Sequence, residues 1–210
     1  MEQITAVLVG TTNPDKARRW RRLLPASIDV QFPDDLGLHL AISETSTSPL
    51  ANARVKAKTW SGSTGRACFA DDLGLYIDAL DGAPGAAMKT WGGLITEQAT
   101  EAERRAVLAA AIAPLPDTSC RLDTAIAFAL PNGVCWSALH HTHGHLDKER
   151  AHRAHNAGAL LEDILVIAPF GKTFADMTPI ERHQEETGLR RIVTHALARS
   201  MAMKGSPEGE

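Results

Sequence analysis

Two strand-like runs, residues 120–130 and 133–143, are separated only by Pro131-Asn132. The pair reads as a long antiparallel hairpin closed by a tight turn. A hairpin of that length must bury a face, so the rest of the chain has to supply the elements that cover it. Residues 4–9 read as a buried strand. Gly10-Thr11-Thr12-Asn13-Pro14-Asp15 is turn chemistry with a proline suited to a first helical turn, and residues 15–24 follow as a helix. A second helix is expected over 46–62. A short apolar run at 67–70 ends in Asp71-Asp72, and 82–87 reads as a loop. A third helix is expected over 97–113, stopped by Pro114 and Pro116, and a last helix over about 185–203. The expected fold is α/β: a mixed sheet flanked by helices. One domain spans 1–203, followed by a polar tail at 204–210.

The 210 residues carry a formal charge of −3, which gives no basic surplus for coating nucleic acid. No apolar stretch reaches the roughly 18 residues that span a bilayer. The N-terminus does not read as a secretory signal. The cysteines, Cys68, Cys120 and Cys135, are odd in number and widely spaced. They suit reduced core thiols, and so a cytoplasmic protein, better than a disulfide frame or a zinc site.

Four groups of residues carry possible chemistry. A strand, then Thr11-Thr12-Asn13-Pro14-Asp15-Lys16, then a helix offers backbone N–H groups, two hydroxyls and a lysine to a phosphate, although the glycine spacing of a Walker loop is absent. An ordinary capped helix has the same look. Asp71-Asp72 offers two carboxylates that can hold Mg²⁺ and position a water, and equally reads as a polar turn. Glu44 can complete such a site, or is a loop acid. Lys56 can reach a phosphate, or is a solvated helix lysine. His140, His141, His143 and His145 cluster in one strand and read as a solvated edge strand rather than a metal site. The arginines at 18, 19, 21 and 22 read as a solvated face, and the four tryptophans as core or interface packing.

Together the motifs resemble the inosine triphosphate pyrophosphatase family, which cleaves non-canonical purine nucleoside triphosphates. The family's Thr-Gly-Asn-x-x-Lys corresponds to Thr11-Thr12-Asn13-Pro14-Asp15-Lys16, and its Glu-Thr-Gly to Glu44-Thr45-Ser46. Its Glu-Asn-Ala-x-x-Lys-Ala corresponds to Ala51-Asn52-Ala53-Arg54-Val55-Lys56-Ala57. Its Ala-Asp-Asp-Ser-Gly-Leu corresponds to Ala70-Asp71-Asp72-Leu73-Gly74-Leu75. Gly82-Ala83-Pro84-Gly85 and Gly171-Lys172-Thr173-Phe174-Ala175-Asp176-Met177 complete the series.

The resemblance implies a sheet with a central substrate cleft, a homodimer, and attack of water between the α- and β-phosphates. It implies Asp72 as general base and metal ligand, and Glu44 and Asp71 as further carboxylates for Mg²⁺, with Mn²⁺ as the alternative. Thr11, Thr12, Asn13, Lys16 and Lys56 would hold phosphates. Leu73, Glu162, Lys172 and Arg182 would lie around the nucleotide, which is the expected small-molecule partner.

The nucleobase region departs from the family. Its Gly-Phe-Gly-Tyr-Asp-Pro aligns with residues 158–163, without aromatics and with Glu162 in the acidic position. Its Ser-His-Arg aligns with Glu186-Thr187-Gly188, its preceding lysine with Arg182, and its Ser-Ala-Arg with Met88-Lys89-Thr90. Donors to a keto oxygen are lost and acceptors are gained, which favours a base with an exocyclic amine. A modified-nucleotide hydrolase of specialised metabolism acting on another nucleotide, a monophosphate among the candidates, and a non-catalytic nucleotide-binding protein are the competing readings.

Overall fold

A computed structural model describes residues 4–44, 46–153 and 160–203. The sheet is built from β1 (Ala6–Val9), β2 (Asp29–Gln31), β3 (Cys68–Ile77), β4 (Pro84–Gly85), β5 (Ser119–Ala129), β6 (Cys135–Leu146), β7 (Leu165–Ile167) and β8 (Lys172–Thr173). Its order is β2-β1-β3-β5-β6-β7-β8, with β4 on β3. β1 runs parallel to β2 and to β3, and the remaining pairings are antiparallel. The helices are α1 (Pro14–Leu23), α2 (Pro49–Thr64), α3 (Glu101–Ile112), α4 (Lys148–His152), α5 (Leu160–Ile164), α6 (Pro179–Glu185) and α7 (Thr187–Met203). The expected mixed sheet flanked by helices is borne out.

Local chemistry sets the helix starts. Asn13 caps α1 by accepting the Asp15 and Lys16 N–H groups at 2.8 and 3.3 Å, and Pro14 fixes the first turn. Ser48 and Pro49 open α2 in the same way, and Gly65 ends it in the left-handed region. Thr100 with Glu103, and Thr178 with Glu181, form capping boxes on α3 and α6.

The sequence placed the end of the third strand at Ala70. β3 instead runs on to Ile77, straight through Asp71 and Asp72. Acidic residues interrupt an apolar pattern on paper, but here each carboxylate has buried partners, so the ladder continues. The hairpin is a residue or more longer at its outer ends than its apolar runs suggested. β6 pairs with β5 along its length and with β7 only at Gly144–Leu146, so its outer edge is open at His140 and His141, and His141, His143 and His145 are exposed.

One sheet face carries Phe69, Asp71, Leu73 and Leu75, with Phe128, Ile126, Thr124 and Leu122 opposite them on β5. Two hydrophobic cores lie on this face. The first joins Trp20, Leu23, Phe69, Phe128, Leu189 and Val193 beneath α1 and α7. The second joins Leu75, Ile77, Leu108, Ile112, Ile164 and Leu165 beneath α3 and α5. Between them lies the cross-strand row Leu73–Thr124–His140. On the other face α2 lays Ala53 and Ala57 on Ala70, Ala125, Ala127 and Ala129.

Candidate active site

Successive residues of a strand point to opposite faces. Asp71 and Asp72 therefore part company, Asp71 toward α1 and Asp72 toward α2. Asp71 is 3% exposed. Its Oδ2 lies 2.9 Å from both Lys16 Nζ and Arg19 Nη2, and Trp20 Nε1 donates to its Oδ1 at 2.8 Å. Burial opposes ionisation, but Lys16, Arg19 and the indole outweigh it and hold the carboxyl well below the usual carboxylate range. Asp71 is thus a structural hub that anchors the start of α1 to β3.

Asp72 faces α2. Lys56 donates to its Oδ1 at 2.8 Å and Asn52 to its Oδ2 at 3.0 Å. Asn52 and Lys56 are four residues apart and so share one helix face. Asn52 also ties down the preceding segment, through the Ser46 N–H and carbonyl, both at 3.1 Å. Glu44 reaches the same ammonium at 3.1 Å. Glu44 and Asp72 compete for one cation. Burial raises both carboxyls. At the more exposed Glu44 the lysine outweighs burial and the carboxyl is lowered, whereas at Asp72 burial prevails and the carboxyl is raised. Burial pulls Lys56 down, and its carboxylate neighbours more than restore it. The charge of Lys16 acts on Asp72 and Glu44 as well as on Asp71, so the two sides of β3 share one field.

The turn between β1 and α1 completes this region. Thr11 Oγ1 accepts the Asn13 N–H at 3.2 Å, and Thr12 and Asn13 are exposed. Gly10 is required by contact, since a Cβ there would lie 2.3 Å from Trp60 Cδ1. The arrangement offers phosphates an open turn, Lys16 and Lys56, with a buried carboxylate beside them.

Of the three acids expected at a metal, Glu44 and Asp72 converge on Lys56, and Asp71 faces Lys16 and Arg19 across the sheet. Among the described residues no group of three histidine, cysteine or acidic side chains is placed to hold an ion, because strand alternation sends Asp71 away from Asp72. Lys172 pairs with Glu181 at 2.7 Å, and Arg182 donates to the Phe174 carbonyl, so both have local partners. Leu73 is partly buried beside the second core, and Glu162 is half-buried in α5. Thr45 and residues 158–159 lie outside the described residues. Glu186 is not a free acceptor: it is fully buried between Arg22 and Arg190, at 2.7 and 3.0 Å. Among the histidines, His141 Nδ1 lies 2.6 Å from Asp123 Oδ1, a carboxylate the linear sequence hides on the neighbouring strand.

Four contributors escaped the sequence reading. Arg19 and Trp20 looked like a solvated charge and simple packing, and Asn52 stood in the motif of Lys56 without a role of its own. Lys89, whose charge helps lower Glu44, is brought in by the fold alone.

The Ham1 family model matches residues 7–192. A dITP/XTP pyrophosphatase of Gloeobacter violaceus is 32% identical over 181 residues, covering 85% of this chain and 86% of its own. One from Erwinia tasmaniensis is 33% identical, covering 84% and 85%. A HAM1 protein from Coxiella burnetii superposes with a TM-score of 0.70 at 25% identity, over 90% of this chain and 98% of its own. The chain belongs to the Ham1 family, and the resemblance read from its motifs is borne out.

Proposed function

We propose that this protein hydrolyses a nucleoside triphosphate to the monophosphate and pyrophosphate. The observation that carries the reading is Asp72, a buried carboxylate oriented by Asn52 and Lys56 beside a phosphate-suited turn that presents Lys16. The Ham1 relatives, which bear the name dITP/XTP pyrophosphatase, support the reaction class. Asp72 takes a proton from water, and the water oxygen attacks the α-phosphorus. The bond from that phosphorus to the bridging oxygen breaks, and pyrophosphate leaves. Lys16 and Lys56 neutralise phosphate charge, with Lys56 released from Glu44 and Asp72 as substrate arrives. Thr11, Thr12 and Asn13 orient the phosphate oxygens.

The raised Asp72 carboxyl suits a base that must both ionise and accept a proton. Glu44 and Asp72, two oxygen-donor carboxylates that converge on Lys56, would hold a divalent cation. Mg²⁺, or alternatively Mn²⁺, would supply charge neutralisation at the phosphates. Base specificity is altered from inosine and xanthosine, since the family's base-reading side chains are absent. The reading extends to a cytoplasmic homodimer.

The test is pyrophosphate release from canonical, deaminated and modified nucleoside triphosphates, with and without Mg²⁺. Release that needs the cation and drops by about 10²–10⁴-fold in Asp72→Asn is expected. Release of orthophosphate from monophosphates alone, or full activity in Asp72→Asn, would overturn it.

A further inference from the structure

Asp123 lies in β5 and is only 4% exposed. A buried acid is costly without partners, and two side chains hold this one. Arg121 Nε donates to its Oδ1 at 2.7 Å, and Arg121 Nη2 to its Oδ2 at 3.3 Å. The guanidinium leans toward β3, over the Tyr76 ring at 4.9 Å. His141 Nδ1 lies 2.6 Å from the same Oδ1. A carboxylate only accepts, so the proton of this bond sits on Nδ1. In the neutral ring the lone pair is therefore on Nε2, and 47% of the side chain is exposed.

β6 sets a second imidazole beside the first. His141 and His143 flank Thr142 and share a sheet face, about 7 Å apart at the backbone. His143 stands opposite Arg121 and is exposed. Its side chain has no hydrogen-bond or ion-pair partner among the described residues. α2 begins at Pro49, which packs over Gly74 in the row of Asp123 and His141, and it leaves both rings open to solvent. A carboxylate on one ring nitrogen, with the other nitrogen free, is the arrangement that fixes the tautomer of a metal-binding histidine. No acid lies within residues 139–146; the β5–β6 register supplies one.

We propose that His141 and His143 bind one divalent transition-metal ion of the zinc class through imidazole nitrogens, His141 through Nε2, with Asp123 as the positioning residue behind it. Imidazole suits Zn²⁺, Ni²⁺ and Cu²⁺, whereas Mg²⁺ takes oxygen. The site therefore differs in kind from the carboxylate pair Glu44 and Asp72, and it does not depend on the pyrophosphatase reading. Rings leaning together from a two-residue spacing reach one ion at about 2.0–2.1 Å from each nitrogen. No third histidine, cysteine or acidic side chain joins them among the described residues, so water completes the shell. The charge of Arg121 is spent on Asp123 and held over Tyr76, on the side away from β6. His145 continues the same face but stands opposite Ser119, and no carboxylate is bonded to its ring among the described residues.

The experiment titrates Zn²⁺ into the protein by isothermal calorimetry, with Mg²⁺ in excess to occupy the carboxylates. Wild type is compared with His141→Ala, His143→Ala, His145→Ala and Asp123→Asn. A saturable site is expected in wild type and in His145→Ala, and its loss in His141→Ala and in His143→Ala. Asp123→Asn should bind about 10–100-fold more weakly. With equimolar Cu²⁺, the electron paramagnetic resonance spectrum should show coupling to two imidazole nitrogens in wild type and to one in His141→Ala. Asp123 is buried, so melting curves first establish that Asp123→Asn is folded; if it is not, the copper spectra and the alanine variants decide. No saturable Zn²⁺ binding in wild type, binding that survives His141→Ala or His143→Ala, or unchanged affinity in folded Asp123→Asn overturns the inference. Loss of the site in His145→Ala overturns it equally, by moving the ion to the other end of the strand.

Discussion

Adjacent aspartates do different work here because of what surrounds each. Asp71 is ringed by two cations and an indole, so removing its charge leaves Lys16 and Arg19 facing an uncharged group. Asp71→Asn should cost about 3–5 kcal/mol, read by chemical denaturation. The pH dependence follows from the lowered carboxyl. Its stabilisation is fully present above the unfolded value of about 3.9 and is lost as pH falls through the lower folded value. Melting curves taken downward from neutral pH should fall steeply below about pH 4 for wild type and less steeply for Asp71→Asn. Asp72 sets the opposite expectation for activity. Its carboxyl is raised in the metal-free protein, and a cation held there would lower it, so raising Mg²⁺ should move the acid limb of kcat/KM to lower pH. Lys16, Lys56, Glu44 and Asp72 were legible in the sequence because they sit in motifs. Arg19 was not, because its partner is 52 positions away and a helix arginine is ordinarily solvated.

The elements were legible where local chemistry decides them. Asn13-Pro14 announced α1, and the alternation around Pro131-Asn132 announced the β5–β6 hairpin. Boundaries were lost where tertiary pairing overrides composition, as in β3, whose carboxylates are stabilised by helices that the strand itself cannot announce. The short strand β7 depends on its pairing with β6, and β8 on its pairing with β7. Gly144 exposes that dependence: a Cβ there would sit 2.1 Å from the Val166 carbonyl oxygen. Gly144→Ala should force β7 from β6 and cost about 2 kcal/mol or more, with amide protection lost first in residues 165–167.

For the whole molecule, two cores share one sheet, and α2 spans the opposite face on a layer of alanines. Small side chains let the helix approach closely, and that approach sets the height at which Asn52 and Lys56 meet Asp72. Ala57→Leu should cost about 1–3 kcal/mol through overpacking and lower kcat out of proportion to that loss, because the oriented pair would be lifted from the carboxylate. Pyrophosphate release at a temperature where the variant remains folded separates the two effects. The alanine run in β5 was visible in the sequence, but not its role as a seat for α2.

The ten paired positions between β3 and β5, from Cys68–Ala129 to Ile77–Cys120, have a meaning beyond cohesion. Sliding β3 by one residue would turn both carboxylates to the opposite faces of the sheet. In one direction Asp71 would stand where Asp72 does, beside Lys56 and Asn52, and Asp72 would move to the place of Leu73, away from Lys16 and Arg19. No atom of the chain would be missing, and yet the anchor of α1 would be lost and the carboxylate proposed as base would face a core. The long ladder is therefore the device that keeps each of two carboxylates, separated by one peptide bond, with its own partners.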